Sequence, residues 1–123
     1  MYKWDKNVKF NSQGGNVREA LYEDFMKSEV GTVQAILSNF NIKVLIYTGQ
    51  NDIIVDTPGT LAWVEEMRYP GADEFRYVYV WCRNTLLTPW KINNQVKGFY
   101  KKVGKLELRT INNGGHLIPM DQG

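Results

Sequence analysis

One histidine occurs in the chain, His116, directly after Gly114 and Gly115. Paired glycines free the backbone to turn, and Pro119 restricts the exit from the turn. A loop of that kind holds an imidazole out over a site rather than in a core. Asp52 ends a polar stretch, Gly49-Gln50-Asn51-Asp52. A carboxylate that accepts from an imidazole Nδ1–H fixes the ring's tautomer. It also stabilises the imidazolium formed when Nε2 takes a proton from a nucleophile. In one common chain order the nucleophile, a serine on a Gly-x-Ser-x-Gly turn, comes first, followed by the acid and then the base. Asp52 and His116 agree with the second half of that order. The serines Ser12, Ser28 and Ser38 lie in no such turn, and Cys82 follows Asp52 within Trp-Cys-Arg. The chain thus offers an acid and a base without their nucleophile.

The elements around these residues explain why they could meet. Residues 43–48 form a continuous apolar run ending at Gly49, which predicts a strand buried on both faces, as in a parallel sheet. Asp52 then lies at the strand's C-terminal tip, where sheets of that kind present their chemistry. Asp56-Thr57-Pro58 is a helix start, a capping side chain followed by proline. Leu61, Val64 and Met67 give that helix a buried stripe, and Tyr69-Pro70-Gly71 ends it. Before the strand, Met26, Val30, Val33 and Leu37 recur at helical spacing, predicting an amphipathic helix over residues 22–39 with Ser28 and Ser38 on it. Residues 1–21 read as an irregular N-terminal segment. Residues 75–82 alternate Phe75, Tyr77, Tyr79 and Trp81 with smaller side chains and read as extended. Residues 85–95 read as loop or short helix. Residues 97–103 and 105–111 pair as a hairpin, with Leu106 and Leu108 facing one way and Glu107 and Arg109 the other. Helix, buried strand, polar tip and helix together predict an α/β fold.

With 123 residues, 43% apolar and 13% aromatic, the chain is domain-sized and too apolar for disorder. A net charge of +2 with scattered Lys and Arg does not point to nucleic acid. No run is long enough for a membrane span. One cysteine excludes an internal disulfide framework, and one histidine argues against a Cys/His zinc site. No cofactor-binding motif is visible: there is neither a Gly-x-Gly-x-x-Gly turn nor a phosphate-cradling loop.

Residues 43–55 (KVLIYTGQNDIIV) closely resemble the strand and acid turn of serine carboxypeptidases, and residues 114–121 (GGHLIPMD) resemble that family's histidine motif. Within the family the chain is most similar to the retinoid-inducible and vitellogenic-like branch, whose Gly-Gln-x-Asp-x-Ile-Val turn is matched by residues 49–55. The resemblance runs from about residue 22 to the end, making residues 22–123 the C-terminal part of a partial α/β-hydrolase domain. It implies a serine-type exopeptidase that acts on peptide or protein C-termini in lysosomes, vacuoles or outside the cell. Asp52 would orient the imidazole and His116 would be the general base. The family's Gly-Glu-Ser-Tyr nucleophile motif is absent from this sequence, so the chain is expected to be the C-terminal part of such an enzyme, cut at both ends and inactive alone.

Plainer roles stand beside these. Asp52 could be an ordinary turn residue and His116 a surface histidine. Asp56 reads better as a helix cap than as half of a metal pair with Asp52. Cys82 reads as a packed thiol, the Phe75–Trp81 stripe as packing rather than a peptide-binding surface, and Lys101, Lys102 and Lys105 as solvated lysines near a strand edge. An unpaired edge on the 43–48 strand would favour self-association. The rival reading of function is a non-catalytic remnant that acts as an interaction protein.

Overall fold

The computed structural model describes residues 14–80 and 87–123, with the side chains of residues 77–80 left aside. Cys82, Trp81 and Ser12 lie outside the described residues, as does most of the N-terminal segment. The elements run α1 (Gly15–Ala20), α2 (Val30–Asn39), β1 (Val44–Gly49), α3 (Thr57–Glu66), α4 (Ala72–Val80), β2 (Thr88–Ile92), β3 (Gln95–Val103), β4 (Leu106–Ile111) and α5 (Ile118–Asp121). The strands form one mixed sheet in the order β1-β4-β3-β2. β1 and β4 are parallel, and the β4–β3 and β3–β2 pairs are antiparallel. The sheet is open and flanked by helices, an α/β arrangement.

Local chemistry accounts for much of this. The β3–β4 hairpin closes with Val103 opposite Leu106, and Gly104 supplies the positive φ of 56° that a two-residue turn needs. Period-two burial along β4 puts Leu106, Leu108 and Thr110 inside. α3 begins where Asp56 accepts from the Gly59 N–H at 3.3 Å, with Pro58 in the first turn. This is the capping role expected of Asp56. At the other end of α3, the Arg76 guanidinium donates to the carbonyls of Glu65 (2.6 Å) and Met67. Those carbonyls have no partner within the helix.

Leu37, Val64, Met67, Phe75, Leu106 and Leu108 form the core, joined by Val44, Ile46 and Val103 from the strands. Burying each of the large side chains is worth about 1.5–3 kcal/mol. α2, α3 and α4 therefore share one face of the sheet.

Several expectations are corrected. α2 starts at Val30, not residue 22, and Phe25 and Met26 are 84% and 86% exposed. Thr32 Oγ1 donates to Glu29 Oε2 at 2.6 Å at the true start, so Ser28 lies outside the helix. Part of the irregular N-terminal segment, Gly15–Ala20, is helical. The alternating 75–82 stretch is largely α4: Gly71, at φ 97°, breaks the chain before it, and Asp73 and Glu74 occupy its first turn. Acidic residues there favour a helix N-terminus, and Ala72 and Phe75, three apart, face the core. Residues 88–92 form a strand rather than a loop or helix. Asn93 and Asn94, both at positive φ, make its turn into β3, and Pro89 is tolerated because β2 is an edge. β1 is buried on one face only, with Leu45 and Tyr47 exposed on the other. Lys101 is not solvated: its ammonium donates to the Phe75 carbonyl and lies 4.4 Å from that ring's centroid. Burial lowers its pKa.

Candidate functional site

The parallel pairing of β1 with β4 builds the site. Gly49 is opposite Ile111, so the two strands end together and the loops after them leave from the same edge of the sheet. One loop carries Asp52 and the other His116.

The acid loop is tightly bonded. The Asp52 N–H donates to the Gly49 carbonyl at 3.1 Å. Asp52 Oδ1 accepts from the N–H groups of Ile54 (2.9 Å) and Val55 (3.0 Å). Thr57 Oγ1 donates to the Gly49 carbonyl at 3.1 Å, and Thr48 Oγ1 donates to the Val55 carbonyl at 3.4 Å. Asp52 is buried, at 8% exposure. The Val55 N–H is the largest influence holding its carboxyl below the ordinary aspartate value, followed by the His116 bond, and together they outweigh the opposing effect of burial.

The histidine loop rests on the acid loop. The Asn51 N–H donates to the Gly114 carbonyl, and the Gln50 N–H to the Ile111 carbonyl, each at 2.9 Å. A β-carbon on Gly49 would stand 2.5 Å from the Gly115 carbonyl oxygen and closer still to that of Gly114. Only glycine permits this approach. Asn113, at φ 60°, turns the chain into the loop.

Across this contact His116 Nδ1 lies 3.0 Å from Asp52 Oδ2, between residues 64 apart in sequence. An ionised carboxylate only accepts, so Nδ1 carries a proton, and in a neutral ring the lone pair is then on Nε2. The imidazole is 50% exposed while the Asp52 side chain is 6% exposed. The arrangement is a buried carboxylate hydrogen-bonded to a half-exposed imidazole.

Asp52 and His116 are thus brought together. Neither Ser28 nor Ser38 bonds to the imidazole, whose partner among the described residues is Asp52. Asp56 points into its helix cap, and the described residues contain no cluster of three or more His, Cys, Asp or Glu that could hold a metal. No helix among them is long and apolar enough to cross a membrane. Residue-by-residue reasoning missed the parts played by Gly49 and Asp121. The Asp121 carboxylate accepts from the Gly115 N–H at 2.7 Å, and neither spacing nor periodicity signals that bond.

The family model for serine carboxypeptidase matches residues 2–123. The chain is 33% identical over 117 residues to serine carboxypeptidase-like 48 of Arabidopsis thaliana, covering 94% of this chain and 21% of that protein. It is 32% identical over 117 residues to the retinoid-inducible serine carboxypeptidase of Rattus norvegicus, covering 95% and 25%. The Homo sapiens protein of the same name is 34% identical over 120 residues, covering 93% and 24%. The chain therefore spans between a fifth and a quarter of the length of these curated relatives. With residues 2–123 matched by one family model, the chain belongs to the serine carboxypeptidase family.

Proposed function

We propose that this chain carries the acid and the base of a Ser-Asp-His triad in a serine-type carboxypeptidase, and that residues 22–123 are the C-terminal part of an α/β-hydrolase domain. The observation that carries this reading is the 3.0 Å contact between Asp52 Oδ2 and His116 Nδ1, made by a half-exposed imidazole. In the reaction, Nε2 removes the proton of a serine hydroxyl as its oxygen attacks the scissile carbonyl. The same nitrogen then gives that proton to the departing amine as the acyl-enzyme forms. Water repeats the cycle to release the shortened peptide. Asp52 stays ionised and holds the ring so that the charge formed on it is stabilised.

The serine and the groups that stabilise the oxyanion come from sequence outside this chain. Substrates are peptide or protein C-termini. The isolated chain is inactive, because acyl transfer has no first step without a nucleophile. A blocked dipeptide assay of the purified chain tests this. The expected result is no turnover sensitive to a serine-directed reagent, and such turnover would overturn the reading. In an enzyme that joins this chain to a Gly-x-Ser-x-Gly segment, His116→Ala is expected to lower kcat by about 10⁴ or more.

The alternative, a non-catalytic remnant that acts through an exposed surface, draws on the pairing of β1 with β4 alone among the described residues and on the exposure of Leu45 and Tyr47. It predicts that the isolated chain binds other chains through that surface and that changes at Asp52 and His116 leave the binding unaltered.

A further inference from the structure

The peptide unit between Gly114 and Gly115 is held at both ends. Its carbonyl accepts from the Asn51 N–H at 2.9 Å, and its N–H donates to Asp121 Oδ2 at 2.7 Å. The first bond ties it to the acid loop. The second comes from six residues further along the chain, at the end of the single helical turn α5. That turn is closed by the Met120 and Asp121 N–H groups on the Leu117 carbonyl and by the Gln122 N–H on the Ile118 carbonyl. His116 is the next residue after this doubly held peptide. The orientation of this plane, together with the φ and ψ of Gly115, therefore sets the direction in which the chain enters His116.

A peptide flanked by two glycines turns over readily unless something holds it. A hydrogen bond to an ionised carboxylate is about twice as strong as one between neutral groups. The fit at Gly115 is close: a β-carbon there would stand 2.9 Å from Asp121 Oδ2. Asp121 is itself exposed and belongs to no core cluster. Removing its carboxylate takes away little packing and leaves the peptide held by the Asn51 bond alone.

We propose that Asp121 is a positioning residue for His116: by holding the Gly115 N–H it fixes the peptide plane that launches the imidazole toward Asp52. The proposal rests on the acid–base reading of Asp52 and His116. It adds a second carboxylate that acts on the backbone of the base, while Asp52 acts on the ring.

The chain's single histidine makes the test direct, because its ring ¹⁵N signals have one source. At pH about 8, where an ordinary imidazole is neutral, those shifts report which nitrogen carries the proton. In the unaltered chain they are expected to show the Nδ1–H form, and Asp52→Asn is expected to abolish it. Asp121→Ala is expected to move the ring shifts more than half of the way to those of Asp52→Asn, with an unchanged far-ultraviolet circular dichroism spectrum. Asp121→Asn, whose amide oxygen can still accept from Gly115, is expected to restore the original shifts. A folded Asp121→Ala chain with unaltered ring shifts would overturn the role of Asp121 and leave the Asp52–His116 pair standing. Ring shifts in the unaltered chain that already match Asp52→Asn would instead remove the pair on which the proposal rests. Should Asp121→Ala fail to fold, Asp121→Lys keeps a charged surface side chain but offers the Gly115 N–H no acceptor, and unaltered ring shifts in that variant overturn the proposal equally.

Discussion

Gly49 ends β1 in direct contact with the backbone of Gly115: a β-carbon added to Gly49 would stand 2.5 Å from the Gly115 carbonyl oxygen. Carbonyls of a pinned loop cannot swing aside as a flexible side chain can. Gly49→Ala is therefore expected to push the histidine loop off the acid loop. The expected loss of stability is about 1–3 kcal/mol, as for other overpacked sites, accompanied by loss of the Nδ1–H signature of His116. Urea denaturation and ring ¹⁵N shifts measure the two effects. An alanine variant that keeps both would show that the loops do not depend on this contact.

Stability at low pH should carry the signature of Asp52. Its carboxyl is held below the ordinary value of 3.8, chiefly by the Val55 N–H and then by His116. Between the folded and unfolded values the unfolded chain binds the proton more readily, so stability rises with pH through that window. The contribution is fully present above the unfolded value and is lost as pH falls through the folded one. Glu107, lowered first by its bond to Arg109, acts in the same direction, and Glu65, raised by burial, acts in the opposite one. Comparing the chain with Asp52→Asn isolates the Asp52 part. Denaturant midpoints measured across acid pH should show a shallower slope in the variant, and identical slopes would contradict the bonding described.

Leu108 sits in the middle of β4, fully buried against the helical face. Leu108→Ala is expected to destabilise the chain by about 2–5 kcal/mol. β4 pairs with both β1 and β3, so the loss should also loosen the strand ends from which the two loops leave. Thermal and urea unfolding with far-ultraviolet circular dichroism provide the check, and a change below about 1 kcal/mol would place Leu108 outside the core that positions the site.

Among the described residues β1 pairs with β4 alone, and its outer face exposes Leu45 and Tyr47, each 54% accessible. An unpaired apolar edge recruits other strands. Concentration-dependent self-association of the isolated chain is expected in sedimentation velocity, with Leu45→Lys reducing it by placing charge on that strand. A sample that stays monomeric at high concentration and melts sharply would count against the edge as a site of association.

Features with short-range causes were legible from the residues alone. The β3–β4 turn needs one glycine at positive φ, the α3 start needs Asp56 and Pro58, and the strand of β1 needs an unbroken apolar run. Each is decided within a few residues of backbone. In α4, Phe75, Tyr77 and Tyr79 alternate as a strand would, while the acidic first turn and the Ala72–Phe75 spacing favour a helix. β2 carries a weak local signal, because its turn uses two asparagines and its strand contains Pro89, which only an edge position tolerates. Nothing local to Lys101 announces that Phe75, 26 positions earlier, will cover it.

By itself, the order of residues determined which groups could do chemistry: a carboxylate at a strand tip, a lone imidazole on a glycine loop, and no serine on a nucleophile turn. It also carried the family resemblance. Tertiary structure alone decided that the two groups touch, because the parallel pairing of β1 with β4 brings together loops separated by 64 positions. It also decided the contacts of the histidine loop: the Asp121 carboxylate that accepts from the Gly115 N–H, and the bare Cα of Gly49 against the Gly114 and Gly115 carbonyls. Those contacts depend on where the backbone goes after the sheet forms. Local propensity acts over a few residues, whereas this geometry is set by strand pairing at long range.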